Sequence, residues 1–165
     1  FMGGALAVPG NVNACVEANI SQDPEAADIM VRHGKDVTMI GLDVTLQTLL
    51  TYEETRKWRE YGTPAGQLLA DATDYYIKAY ETTAPELGGC GLHDPLAVGV
   101  AIDPTLVTLL PINLKVDLEG PTRGRTIGDE NRMGESATTR VAVAVDAPRF
   151  LTEFMARVGK VAAGL

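Results

Sequence analysis

Aromatic residues are scarce in this chain: they make up 5% of its 165 residues, with a single Trp. A core so poor in rings must rest on Ala, Val, Leu and Ile. Basic residues are also outnumbered, with 14 Lys and Arg against 22 Asp and Glu, a formal net charge of -8. That balance argues against nucleic acid or an anionic membrane as partner, because both need a basic surface. Only two cysteines are present, Cys15 and Cys90, far apart and without paired-metal spacing. They are expected as small packing residues in a reducing cytosol, not as a disulfide framework. No apolar run reaches the length of a bilayer span, and no basic-then-apolar leader opens the chain.

An apolar fraction of 45% with 22% charged residues is ordinary for a globular protein, and residues 1–165 fit one domain. No internal repeat or low-complexity tract interrupts it. Asp23-Pro24-Glu25 reads as a helix start, with Asp23 as N-cap and Pro24 at the first helical position, and Gly34 as a natural stop. Val37 to Leu42 is a short apolar run that suits a buried strand. Thr51 to Thr82 is helical in pattern, broken around Gly62-Thr63-Pro64. Tyr75, Tyr76 and Tyr80 in its second part could stack on a ligand ring, but packing against the core is the expectation. A glycine-rich loop over 87–92 leads into a helix from His93 to Ile102, with Asp94 expected at its N-cap. Two strands, Leu106 to Glu119 and Thr138 to Asp146, flank a polar hairpin or excursion, and Pro148 to Ala163 is an amphipathic closing helix. The alternation of helix and strand predicts an α/β fold.

The densest polar run is the beginning. Met2-Gly3-Gly4-Ala5 is followed by Gly10-Asn11 and by Glu17-Ala18-Asn19, two glycine turns with several groups that donate and accept hydrogen bonds. Such a set suits a polyhydroxylated ligand. Glu17 and Asn19, separated by two, share one side of an extended stretch and can grip a hydroxyl from two directions. The simpler account, on spacing alone, makes Asn11, Glu17 and Asn19 turn formers and caps. His93-Asp94 is a second constellation. A His near a helix N-terminus has a lowered pKa, and Asp94 offers a hard oxygen ligand, although one carboxylate is far short of a calcium site. His33 is assigned no catalytic role, and Asp43 fits a cap as well as a ligand. The chain opens inside this loop with no strand before it, which suggests a cut.

In combination these blocks resemble the C-terminal half of the inosine–uridine preferring nucleoside hydrolases, calcium-dependent N-ribohydrolases. Met2-Gly3-Gly4-Ala5, Gly10-Asn11 with Glu17, Asn19 and Asp23 to Ala27, Thr38 to Thr45, and His93-Asp94-Pro95-Leu96-Ala97-Val98 carry the resemblance in family order. Thr122-Arg123-Gly124 and the closing strand and helix also fit. The resemblance implies that Asn11, Glu17 and Asn19 bind ribose hydroxyls beside Met2, that Asp94 ligates Ca²⁺, and that His93 is the leaving-group acid. It implies the C-terminal part of a doubly wound, mostly parallel sheet flanked by helices, incomplete without its N-terminal half. Asn13-Ala14 stands where the family usually has Thr-Pro, and Ala18 where an aromatic is usual, so the sugar pocket should be wider. The family's N-terminal aspartate cluster, with most calcium ligands and the water-activating base, has no counterpart in these residues.

Two function classes follow. One is part of a nucleoside ribohydrolase acting on uridine, inosine or a similar ribonucleoside, with the missing half supplied in cis or trans. The other is a catalytically inactive sugar-binding or interaction module. The chain alone is expected not to hydrolyse nucleosides, and its missing strands should expose sheet edges and an apolar face. By resemblance, the setting is cytoplasmic salvage and the assembly a homodimer or homotetramer.

Overall fold

The structure is a computed structural model that describes residues 1–165. The chain opens with two helices, α1 (Ala18–Gln22) and α2 (Pro24–His33), then β1 (Val37–Met39), α3 (Leu42–Thr45) and β2 (Leu49–Leu50). The helices α4 (Tyr52–Glu60) and α5 (Pro64–Thr83) precede β3 (Cys90–Gly91) and α6 (His93–Ile102). Strands β4 (Val107–Pro111), β5 (Leu114–Val116), β6 (Thr126–Gly128) and β7 (Thr139–Val145) lead into the closing helix α7 (Ala147–Ala162).

Local chemistry sets these boundaries. The Asp23 carboxylate accepts from the Ala26 N–H at 2.9 Å, Pro24 occupies the first turn, and the chain leaves α2 at Gly34. Thr51 and Glu54 form a reciprocal capping box on α4. The expected break before α5 falls where Gly62 takes φ +68°, a left-handed conformation that L side chains avoid. Asp146 caps α7 by accepting from the Arg149 N–H.

The sheet runs β1-β7-β4, with β1 parallel and β4 antiparallel to β7. Alternation along its strands feeds two cores. Ile40 and Ala142 face α4, α5, α6 and α7, whereas Met39 and Val141 face α1, α2 and β5. Helices on both faces make this the doubly wound α/β arrangement expected.

Several elements depart from expectation. The first residues are not an open loop: Ile40 N–H donates to the Phe1 carbonyl and Gly3 N–H to the Ile40 carbonyl, so Phe1 to Gly3 lie parallel along β1 as a further sheet edge. The expected strand from Leu106 to Glu119 is two, because Ile112 and Asn113 turn the chain from the sheet into the separate β5–β6 hairpin. The α5 tyrosines do not all pack inward. Tyr75 is 80% exposed, and the buried side of α5 is made by Gly66, Ala70 and Ile77. Small residues let α5 lie close to its neighbours, which turns the larger rings outward. α6 is apolar on every side yet leaves Val98 and Ile102 exposed, the pattern of a helix built to be covered. No helix is long and apolar enough to cross a membrane.

Candidate active site

Past the carboxyl end of β1, where open α/β sheets place their ligands, lies a cavity of about 650 Å³. Met2, Asn11, Glu17, Asn19, His93 and Asp94 all line it. Residues from two distant stretches of sequence, 2–19 and 93–94, are thus brought together around it. Leu50, Trp58, Leu69, Phe154 and Val158 line it as well. A lining with both polar and apolar groups suits a ligand with a hydroxylated part and a flat ring.

Glu17 is not in an extended stretch, as its spacing to Asn19 suggested. It is the N-cap of α1, and Asn19 lies in that helix's first turn. One Glu17 oxygen accepts from Asn19 N–H at 2.9 Å; the other accepts from Gly4 N–H at 2.9 Å and Ile20 N–H at 3.2 Å. An ionised carboxylate has about four acceptor positions. Three are filled from within, so at 2% exposure Glu17 is first a structural anion and has one position left for a ligand. Gly4 makes the approach possible. Its φ is +80°, and a Cβ there would lie 2.6 Å from the Met39 sulfur. The Asn19 amide donates to the Met2 sulfur at 3.0 Å, tying the two residues together. Asn11 accepts from Ala18 N–H at 2.9 Å through its Oδ1, which leaves its NH₂ to face a ligand.

The loop bearing Asn11 is held from both sides. Asp43, which fitted a cap or a ligand on sequence grounds, is buried and accepts from Leu6 N–H at 2.8 Å and Ala7 N–H at 2.7 Å. The Thr126 hydroxyl accepts from Ala5 N–H and donates to the Ala5 carbonyl. His33 is exposed at the end of α2, away from the cavity. Cys90 lines the cavity and Cys15 does not; both thiols are free.

At the start of α6, Leu92 occupies the N-cap position without a side-chain bond, so Asp94 is not the cap that the Asp-Pro pair suggested. It sits one residue inside the helix, exposed, and accepts no hydrogen bond from the protein. His93 is engaged at both nitrogens, with Nδ1 at 2.7 Å from the Thr45 hydroxyl and Nε2 at 2.7 Å from the Tyr80 hydroxyl. Either tautomer satisfies this chain, since both hydroxyls can donate or accept. Burial holds the imidazole below its ordinary pKa, against the opposing pull of the Glu17 and Asp94 carboxylates. Burial, then the neighbouring Tyr76 hydroxyl, raises the Tyr80 phenol well above its usual value. The Tyr76 ring meets Tyr80 edge-on, centroids 5.1 Å apart, and lines the cavity. The sequence offers Tyr76 and Tyr80 only as rings that could stack on a ligand, and it does not point to Thr45 as a site residue. The available signal was that Tyr76 and Tyr80 are four apart, and so share a helix face.

A calcium ion needs six to eight oxygens. No group of three or more His, Cys, Asp and Glu side chains gathers at any point of the chain. Asp94 offers a free carboxylate, but these residues do not by themselves make a calcium site.

The geometry defines a cleft lined by both polar and apolar side chains on a doubly wound α/β scaffold. Residues 1–152 match the family model described as inosine-uridine preferring nucleoside hydrolase, and the chain belongs to that family. It is 38% identical over 165 residues to "Probable uridine nucleosidase 2" of Arabidopsis thaliana, covering 95% of this chain and 51% of the relative. It is 36% identical over 143 residues to the inosine-uridine preferring nucleoside hydrolase of Crithidia fasciculata, covering 86% and 45%. A solved purine-preferring ribonucleoside hydrolase from Gardnerella vaginalis superposes with a TM-score of 0.96 at 70% identity, covering 99% of this chain and 52% of that one. The chain therefore spans about half the length of these relatives.

Proposed function

We propose that this chain is part of a ribonucleoside N-ribohydrolase and supplies the ribose clamp, one calcium ligand and the leaving-group acid. The observation that supports this is the convergence of Met2, Asn11, Glu17, Asn19, His93 and Asp94 on one cavity that apolar side chains also line. The Asn11 and Asn19 amides and the remaining Glu17 acceptor bind the sugar hydroxyls, and the base lies toward Tyr76 and the apolar wall. In the reaction the C1′–N bond breaks with its electron pair passing to the base. Water adds to C1′ through an oxocarbenium-like transition state, as in O-glycoside cleavage, and gives its proton to a base from outside these residues. The Glu17 charge stabilises the ribosyl cation, and a proton passes to the departing base from His93, held between the Thr45 and Tyr80 hydroxyls. Asp94 is one ligand for Ca²⁺, which supplies Lewis acidity when bound; its other ligands come from outside these residues.

Of the carboxylates lining the cavity, Glu17 is largely occupied by backbone donors and Asp94 is the proposed ligand. No base is left to activate water, so the isolated chain binds a sugar without cleaving nucleosides. The unpartnered face of α6, with Val98 and Ile102, packs against the complementary half of the same domain. Cytoplasmic salvage by a homodimer or homotetramer is the setting we favour. The test is release of reducing sugar from inosine and uridine by the full-length protein with calcium, beside residues 1–165 alone. Turnover by the full-length protein only is the expected result. Turnover by residues 1–165 would overturn the division of labour, and none by either would overturn the activity.

A further inference from the structure

Arg32, Arg59, Arg123, Arg132, Arg140 and Arg149 each pair with a carboxylate. Arg125, half-buried just before Thr126 on β6, does not follow them. All of its side-chain hydrogen bonds go to carbonyls of one loop: Nη2 donates to Leu6 at 2.6 Å, and Nη1 donates to Val8 at 2.8 Å and to Cys15 at 3.0 Å. Val8 and Cys15 stand at the two ends of the turn that presents Asn11. A single guanidinium nitrogen thus closes the neck of that turn. The planar fork suits this task, because its donors are fixed relative to one another. Above the neck the turn is held by its own bonds: Asn13 Oδ1 accepts from Cys15 N–H at 2.8 Å and Val16 N–H at 3.0 Å, and Gly10 and Asn11 N–H donate to the Ala14 and Val16 carbonyls at 3.3 and 3.2 Å.

We propose that Arg125 is a positioning residue for sugar binding: by clasping the Leu6, Val8 and Cys15 carbonyls it fixes where the Asn11 amide meets the ligand. The inference rests on the sugar-binding assignment of this cavity. Arg125 does not line the cavity and so acts through the loop alone. Without the clasp, the loop must be ordered at the expense of binding.

The test uses the full-length protein carrying Arg125→Met or Arg125→Lys. Hydrogen exchange is followed by mass spectrometry on a peptide spanning residues 6–16, and calorimetry measures affinity for D-ribose with calcium present. With Met, exchange of that peptide should accelerate while peptides from α5 and β7 keep their wild-type rates. Ribose affinity should fall about fivefold, the cost of ordering one or two side chains. Lys, which keeps the charge and part of the bonding, should recover part of both. Unchanged exchange in the Met variant overturns the proposal. So does local acceleration with unchanged ribose affinity, or loosening spread equally over α5 and β7, which would make Arg125 a general stabiliser. If the wild-type protein binds no ribose, the functional assignment of the cavity fails and takes the sugar-binding role of Arg125 with it. The exchange result then reports separately whether the clasp orders the loop.

Discussion

Replacing Glu17 with Gln tests whether that carboxylate serves the fold before it serves a ligand. Its oxygens accept from three backbone N–H groups, at 2.9, 2.9 and 3.2 Å, and its side chain is almost fully buried. Gln keeps the shape but removes the charge and turns an NH₂ toward at least one of these donors. Hydrogen bonds to a charged group contribute about 1.5–3 kcal/mol each, and loss of an N-cap costs about 0.5–2 kcal/mol. The bonds share one group and do not add fully, so we expect a loss of about 3 kcal/mol. For a domain of this size that lowers Tm by roughly 6–12 °C. Differential scanning calorimetry, with a urea titration at constant m, measures it. Gly4 should also lose protection in hydrogen exchange, because the carboxylate is what joins it to α1. A loss below about 1 kcal/mol would refute the assignment. A gain in stability would go further, since it would mark Glu17 as a strained ligand-facing group relieved by neutralisation.

Asp94→Asn should weaken calcium binding to the full-length protein at least about tenfold while moving stability by no more than about 0.5 kcal/mol, because the carboxylate has no protein partner to lose. Calorimetric titration with Ca²⁺ and thermal melting read the two effects separately. Tyr80→Phe deletes the hydroxyl on His93 Nε2 and should lower kcat on inosine at least about tenfold with KM within about twofold. An unchanged kcat would remove Tyr80 from the proton path. In Glu54, burial raises the pKa, but the Thr51 hydroxyl and N–H and the Lys57 charge outweigh it and leave the group below its ordinary value. A lowered folded-state pKa stabilises fully above the unfolded value of about 4.3 and is lost as pH falls through the folded one. Glu54→Gln should therefore cost stability at pH 7, with the gap to wild type closing below about pH 4 in urea titrations.

The helix ends were the most legible part of the fold. Asp23-Pro24, Gly34 and the Gly62-Thr63-Pro64 break act through bonds spanning a few residues, so spacing alone locates them. The same local logic misplaced Asp94, because an Asp-Pro pair fits either an N-cap or the first turn, and the turn of the chain at Leu92 decides between them. It also misjudged the α5 tyrosines, since which face of a helix is buried depends on what packs against it. The pairing of Phe1 to Gly3 was not legible for a related reason: its partner is β1, nearly forty residues away.

By itself the sequence determined the α/β alternation, the helix boundaries, the acidic surface and a set of polar residues in family order. These depend on composition, on periodicity and on side chains capping their own neighbourhood. Only the tertiary structure decided that Glu17 is anchored by Gly4, that Asp43 and Arg125 hold the Asn11 loop, and that His93 lies between Thr45 and Tyr80. Each of those contacts joins residues from separate elements. A hydrogen bond has an effect only at a few ångströms, and no pattern along the chain reports which distant groups folding will bring that close.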